Sequence, residues 1–355
     1  SVLTGALVLG FYSVVGGWCT HYLLASLTGN LAADDPQALR AAFEAFAADP
    51  YEAAGCHVLF LSATALVVLA GVQKGIERVG KVLMPLLFIL MLVLIGRGLT
   101  LPGAMEGVKF LFKPDWEAFT GEALLNAMGF AFFSLSVGSG SMMNYGSYLS
   151  KDVNIGPATL WIVVLAVMAS VLGGLMIMPA VFAFGLSPDA GPGLTFATMP
   201  AVFSHMPLGS FFAVLFFLSL FVAALTSAIS ILEMASQHFV DRHGFTRRNA
   251  VLLVSTGLGI LGVFCALSFG PLNHVKLFGL TLFEGLDYLT SNIGMPLGCL
   301  GIAVVGCWTA WPAIRTELTK NGRWSEKGLA AFRLFAGILA PVLILVVAAR
   351  GLGFF

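Results

Sequence analysis

Apolar residues in this chain gather into long, nearly unbroken runs separated by short polar segments. About 20 mostly apolar residues cross roughly 30 Å of hydrocarbon as a helix. Nine runs approach or exceed that length, over residues 2–27, 56–73, 82–98, 123–148, 157–184, 208–239, 249–268, 289–312 and 334–352. The third is short and extends past Arg97, because an arginine near a helix end snorkels to the interface. The pattern predicts an all-α, polytopic membrane protein forming one transmembrane domain over residues 1–355. Between the first two runs, the acidic segment 30–55 reads as an external loop carrying a short helix over Pro36–Ala48. No secretory signal is evident, since the first run is too long and lacks a basic flank. The chain opens on Ser1 instead of Met and its first run begins at once, so it is expected to be part of a longer protein.

Composition sharpens this picture. Hydrophobic residues make up 58% of the 355 and charged residues 10%, against roughly 25% charged in soluble domains. Eighteen basic residues balance eighteen acidic ones, leaving no net field to attract nucleic acid. The five cysteines, Cys19, Cys56, Cys265, Cys299 and Cys307, have no CxxC spacing and read as small buried apolar residues. Orientation follows from Lys and Arg. The even loops hold twelve of them (Lys74, Arg78, Lys81, Lys151, Arg242, Arg247, Arg248, Arg315, Lys320, Arg323, Lys327, Arg333) and the odd loops and tail six (Arg40, Arg97, Lys109, Lys113, Lys276, Arg350). Even loops are therefore expected in the cytoplasm, with the N-terminus inside and the C-terminus outside.

Candidate chemistry lies in two of the runs. The fourth carries Phe132 to Ser141, with two glycines and four serines inside an otherwise apolar stretch. Glycine and serine weaken a helix and leave main-chain groups free to face a ligand; they also let a neighbouring helix approach closely. The sixth carries Ser219, Ala223, Thr226, Ser227, Ser230, Glu233 and Gln237 at spacings of three and four, a polar stripe on a helix otherwise made of Phe, Leu and Val. Uncharged oxygens near mid-membrane suit a weakly held alkali cation, although serine and threonine also join helices. Glu233 alone among the carboxylates sits well inside an apolar run. An intramembrane acid is functional by default; the alternative is a structural pair with a Lys or Arg near the cytoplasmic end.

Several motifs in order resemble the neurotransmitter:sodium symporter family, especially its bacterial eleven-helix amino-acid transporters. They are Gly10-Phe11-Tyr12 through Trp18, Lys74-Gly75-Ile76-Glu77-Arg78 with Met84-Pro85, Lys113-Pro114-Asp115-Trp116, the glycine and serine stretch, Leu225-Thr226-Ser227-Ala228-Ile229-Ser230, and Asp287 to Asn292. The resemblance runs over essentially the whole chain. It implies the inverted-repeat, leucine-transporter-like sodium symporter fold, with the nine runs standing for family helices three to eleven. It further implies sodium-coupled symport of an amino acid or related small zwitterion across the cell (inner) membrane by alternating access. Sodium is then the coupling ion and no other cofactor is needed.

The resemblance also implies site residues. Tyr12 holds the substrate carboxylate and Val8 lines the side-chain pocket one turn earlier. Phe133 is the lid over the substrate, Ser134 and Ser136 bind ion and substrate in the unwound segment, and Ser139 lines the pocket. Ala223 through its carbonyl, and Thr226 and Ser227 through their hydroxyls, form the second sodium site together with the Ser134 region, while Ser227 and Ile231 also face substrate. Asp287 belongs to an outer gate, Tyr148 and Asp241 to an inner one.

The chain departs from the family at Val163 to Val167, wholly apolar where a helix-seven ligand to the first sodium site is expected, and at Phe130, where many relatives carry a glutamine linked to chloride, although Ser170 lies near the other chloride position. The runner-up is a proton-coupled amino-acid carrier of the same broken-helix architecture, with Glu233 as the protonated group. Enzyme motifs are missing. There is no HExxH, no pair of intramembrane aspartates, and Val137 stands where a GxSG serine would need glycine. His21, His57, His205, His238, His243 and His274 are scattered without ligand spacing.

Overall fold

The computed structural model describes residues 2–31, 35–117, 119–150, 153–186, 188, 191–319 and 324–352. Ser1 and the cations Lys151, Lys320 and Arg323 of the orientation count lie outside the described residues. Among the described residues the chain is helical without a strand, apart from one isolated bridge between Leu277 and Leu280.

Helix α1 (Val2–Thr28) is followed by α2 (Pro36–Ala48) and α3 (Pro50–Leu69). Both of the latter open on Asp-Pro. Asp35 accepts hydrogen bonds from the amides of Gln37 and Ala38, and Asp49 from those of Tyr51 and Glu52. Each proline occupies the first helical position, where its missing N–H costs nothing. Asp49 serves two helices, because its own amide also bonds the last carbonyls of α2, Ala45 and Phe46. The second crossing consequently begins at Pro50 instead of residue 56. Then come α4 (Arg78–Leu99), α5 (Ala104–Phe112), α6 (Gly121–Ser134), α7 (Ser141–Ser147), α8 (Ile155–Ala183), α9 (Met199–Ser204), α10 (Gly209–His243) and α11 (Arg247–Leu267). The chain ends with α12 (Leu282–Tyr288), α13 (Met295–Val304), α14 (Trp311–Thr319), α15 (Glu326–Leu334) and α16 (Ala340–Gly351). Among the described residues, eight helical stretches are long and apolar enough to cross a membrane. The ninth expected run is the broken pair α6 and α7.

Five turns are widened to π geometry, over Val72–Glu77, Leu194–Thr198, Leu289–Gly294, Val305–Thr309 and Phe335–Leu339. Four of them have a common cause. Proline lacks an amide hydrogen and its ring collides with the carbonyl four residues earlier. Pro200, Pro296, Pro312 and Pro341 put that collision at Phe196, Asn292, Trp308 and Gly337, each inside a widened turn. Pro85 and Pro179 sit inside α4 and α8 without one.

The backbone groups into two compact units. One comprises Leu9–Pro114 and Ala169–Gly285. In it α3 packs on α11, and α10 packs on α3, α4 and α11. Helices α1, α3 and α11 close on a fully buried histidine, His57, whose Nε2 lies 3.1 Å from the Gly259 carbonyl. A Cβ on Gly17 would stand 2.7 Å from the His57 amide, and one on Gly262 would stand 2.2 Å from the imidazole Cε1. Small residues thus allow the close approach that membrane helices need, where no hydrophobic force draws them together. At one end of this unit Trp18 is boxed by Phe43, Phe196, Phe269 and Phe283, with ring centroids 5.1 to 6.0 Å away. The other unit comprises Ser1–Val8, Asp115–Met168 and Leu286–Phe355. There α13 packs on α16, and α16 on α6. The expected span Val163 to Val167 presents exposed side chains on α8 at Val163, Val164, Leu165 and Val167.

Replacing Gly262 by Ala should force the buried imidazole aside and lower stability by about 1–3 kcal/mol. The check is the unfolding midpoint of the purified protein in detergent, and an unchanged midpoint would contradict the packing described around His57.

Candidate functional site

In the second unit, the fourth run breaks where glycine and serine collect. Helix α6 ends at Ser134 and α7 begins at Ser141. The α6 terminus is closed by the Val137 amide on the Phe132 carbonyl (3.0 Å) and the Ser136 amide on the Phe133 carbonyl (2.9 Å). That pair of bonds is the Schellman closure, and it requires a left-handed residue, usually glycine. Ser136 fills the position with φ of 51°. Left-handed backbone costs a residue with a Cβ about 1–2 kcal/mol. The two glycines are needed for different reasons. Gly140 caps α7 at φ of 94°. Gly138 has φ of 89°, and a Cβ there would stand 2.3 Å from the Met295 carbonyl oxygen, while one on Gly298 would stand 2.1 Å from the Gly138 oxygen. The break and α13 therefore touch backbone to backbone. The break and the close-approach readings of this stretch hold at once.

Its candidate side chains separate by environment. Phe133 and Ser134 are exposed at the end of α6, and Ser136 is half-buried. Ser139 is buried; its hydroxyl donates to the Ser136 carbonyl at 2.9 Å and accepts the Ser141 amide at 3.3 Å, so it knits the break together. Tyr148, at the end of α7, is exposed. Asp287, at the end of α12, is exposed and accepts from the Ser291 hydroxyl at 3.0 Å. The adjoining Tyr288 donates its hydroxyl to the Gly351 carbonyl at 3.0 Å.

In the first unit, the polar stripe of α10 divides into three parts. Its upper end, Ser219, is buried and donates to the Phe216 carbonyl at 2.7 Å. Its middle is open. Ala223, Thr226 and Ser230 are half-buried, and Ser227 is exposed. Thr226 donates to the Ala223 carbonyl at 3.0 Å and Ser230 to the Thr226 carbonyl at 3.1 Å. A hydroxyl has one hydrogen and two lone pairs. With the hydrogens turned back onto the helix, the open stretch offers oxygen lone pairs, the donor set of a hard cation. The Tyr12 side chain of α1 neighbours Ser227 of α10 beside this stretch. Tyr12 is half-buried, Val8 lies buried one turn earlier on α1, and Ile231 is half-buried one turn beyond Ser227.

The lower end of the stripe is a structural clamp. Glu233 is fully buried, and both its oxygens are held by Arg247, Oε1 by Nη1 at 3.0 Å and Oε2 by Nη2. The same guanidinium donates from Nε and Nη2 to the Val68 carbonyl at 3.2 and 3.0 Å, near the C-terminus of α3. A cation there complements the helix dipole as well as the carbonyl. This is the pairing with a basic residue that the position of Glu233 allowed. Its partner opens the next helix, after Thr246 caps α11. Further on, Gln237 donates to the exposed Asp241 carboxylate at 2.7 Å. Ser230, one turn after Thr226, continues the open stretch and lies outside the residues that the family resemblance implies for the site.

Two outcomes follow. Gly138→Ala should cost about 2–4 kcal/mol, adding the left-handed penalty to collision with an unyielding carbonyl, and Cys299→Ala should not rescue it; retention of the wild-type unfolding midpoint would contradict the backbone contact. Glu233→Gln and Arg247→Met should each cost about 3–5 kcal/mol by stranding a buried charge, and the double variant should recover most of the loss. A double variant that is stable yet inactive in uptake would instead place Glu233 in a transport cycle.

Comparison with known proteins bears on this geometry. Residues 52–347 match the Sodium:neurotransmitter symporter family. The chain is 42% identical over 300 residues to an uncharacterized sodium-dependent transporter, YhdH, of Bacillus subtilis, covering 84% of this chain and 66% of that protein. It is 34% identical over 345 residues to an uncharacterized sodium-dependent transporter of Haemophilus influenzae, covering 96% of this chain and 75% of that one. The crystal structure of MhsT in complex with L-phenylalanine matches with a TM-score of 0.87 at 38% identity, over 99% of this chain and 79% of that chain. The chain thus spans between 66% and 75% of the length of these two curated relatives. With its family match, its leucine-transporter-like helical fold and its apolar spans, this chain belongs to the sodium:neurotransmitter symporter family, as a multi-pass protein of the cell membrane and not an enzyme.

Proposed function

We propose that the chain carries out sodium-coupled symport of an amino acid or related small zwitterion by alternating access. The observation that carries this reading is the open stretch of α10, where Ala223, Thr226 and Ser230 present oxygen lone pairs next to Ser227 and its neighbour Tyr12. In this reading the Ala223 carbonyl and the Thr226 and Ser227 hydroxyls hold sodium, with Ser134 a further ligand. Tyr12 receives the substrate carboxylate. Val8, Ile231 and Phe133 take its side chain, with Ser136, Ser139 and Ser227 as polar neighbours. Asp287 and Phe133 gate the outer path, and Tyr148 and Asp241 the inner one. Binding of L-phenylalanine by MhsT supports an amino-acid substrate, and the names of the curated relatives support sodium as the coupling ion.

Coupling has a simple physical basis. If cation and zwitterion stabilise the same arrangement, each raises the other's affinity by the same factor. Transporters built on inverted repeats place such ligands against unwound helix near the midplane. The proton-coupled alternative is not favoured, since Arg247 engages both oxygens of Glu233, its candidate acid.

The test is binding and uptake of a labelled amino-acid panel, phenylalanine included, by the protein in liposomes with and without a sodium gradient. Thr226→Val keeps the shape and removes the oxygen. It should weaken sodium dependence about tenfold, equivalent to about 1.4 kcal/mol, while leaving the unfolding midpoint near wild type. Uptake that follows a proton gradient at fixed sodium, or a silent Thr226→Val, would overturn the reading.

A further inference from the structure

Helices α14 and α15, with the two widened turns that flank them, line an open cavity of about 430 Å³ that the symport reading does not use. Its construction follows from the prolines. Pro312 and Pro341 widen the turns at Val305–Thr309 and Phe335–Leu339 and leave main-chain carbonyls without their usual amide partners. Two side chains that line the cavity take those carbonyls. The Trp308 indole donates to the Gly337 carbonyl at 3.0 Å, and the Arg333 Nε donates to the Cys307 carbonyl at 3.1 Å.

Arg333 is thereby oriented. Its Nε is tied down and its guanidinium carbon lies 5.2 Å from the centre of the Trp311 ring. Among the described residues neither of its terminal nitrogens makes a hydrogen bond, so the remaining edge of the guanidinium is presented to the cavity. A planar, permanently charged fork of N–H donors suits a phosphate. The other charges of the lining are Arg315 and Glu326, which pair with each other. One positive charge is left over, matching a single phosphodiester.

The cavity also lies at a polar border. Trp308, Trp311 and Trp324 cluster at this end, as aromatic residues do at a membrane interface. Arg333 and Arg350 are seventeen residues apart on one helical stretch, about 25 Å at 1.5 Å per residue, close to the thickness of the hydrocarbon. On the apolar side, Leu334 and Ile338 are exposed and continue the cavity wall along the helix. Polar head and apolar wall in one recess fit one kind of molecule.

We propose that this cavity holds an anionic phospholipid, with its phosphodiester on Arg333 and one acyl chain along Leu334 and Ile338. The test reconstitutes the full-length protein in nanodiscs with equal amounts of dioleoyl-phosphatidylglycerol and dioleoyl-phosphatidylcholine, and reads retained lipid by native mass spectrometry. Retention of phosphatidylglycerol over phosphatidylcholine is expected. Arg333→Gln should weaken it about tenfold, with partial recovery in Arg333→Lys. Ile338→Trp fills the apolar side without touching Arg333 and should also lower retention, which keeps the test decisive if Arg333→Gln folds poorly. Equal retention of the two lipids, unchanged retention in Arg333→Gln and Ile338→Trp, or displacement by free glycerol phosphate at lipid-like concentration would each overturn the proposal. The last would assign the recess to a soluble phosphate.

Discussion

In hydrocarbon a main-chain amide or carbonyl that leaves its helix must find another partner, because no water is there to take it. Three irregular features among the described residues are shaped by that rule. The fourth run stops being a helix at Leu135 only because Val137 and Ser136 close the last carbonyls of α6 and because Ser139 bonds the turn to itself. Where prolines free carbonyls further along, Trp308 and Arg333 reach across to bond the exposed oxygens. At the end of α3, Arg247 does the same for Val68 while it neutralises Glu233. Side-chain N–H groups are in effect the solvent of the interior.

The open face of α10 runs the other way. There the Thr226 and Ser230 hydroxyls donate to carbonyls of their own helix and leave lone pairs outward. Outward lone pairs are the donor set that the sodium proposed for this stretch would need. No carboxylate stands between Ala223 and Ser230, so a cation held as proposed would meet no opposite full charge there. Glu233, the one fully buried carboxylate among the described residues, is instead paired with Arg247.

Much of this was legible in the residues. Nine apolar runs fixed the helical class, and the glycines and serines between Phe132 and Ser141 located the break because glycine takes left-handed backbone freely and serine weakens a helix. The stripe on α10 followed from helical period alone. Other points were out of reach. That only the middle of the stripe is open depends on which neighbours cover Ser219 and Glu233, a property of packing and not of spacing. The partner of Glu233 was narrowed to a basic residue near the helix end, yet Arg242, Arg247 and Arg248 all met that description; only the turn between α10 and α11 selects Arg247. The widened turns were visible in principle, since Pro200, Pro296, Pro312 and Pro341 announce them four residues upstream, but proline predicts a disturbance without saying whether it becomes a kink or a wider turn.

Asp49 carries a mechanical implication. Its amide finishes α2 and its carboxylate starts α3, with Pro50 leaving almost no freedom between them. Two helices joined through one doubly bonded residue behave as a bent lever with a stiff elbow. A tilt of α3 must swing α2 with it, and with α2 goes Phe43, one wall of the aromatic box around Trp18. Rearrangement inside the bundle is thereby wired directly to the aromatic cover at its end.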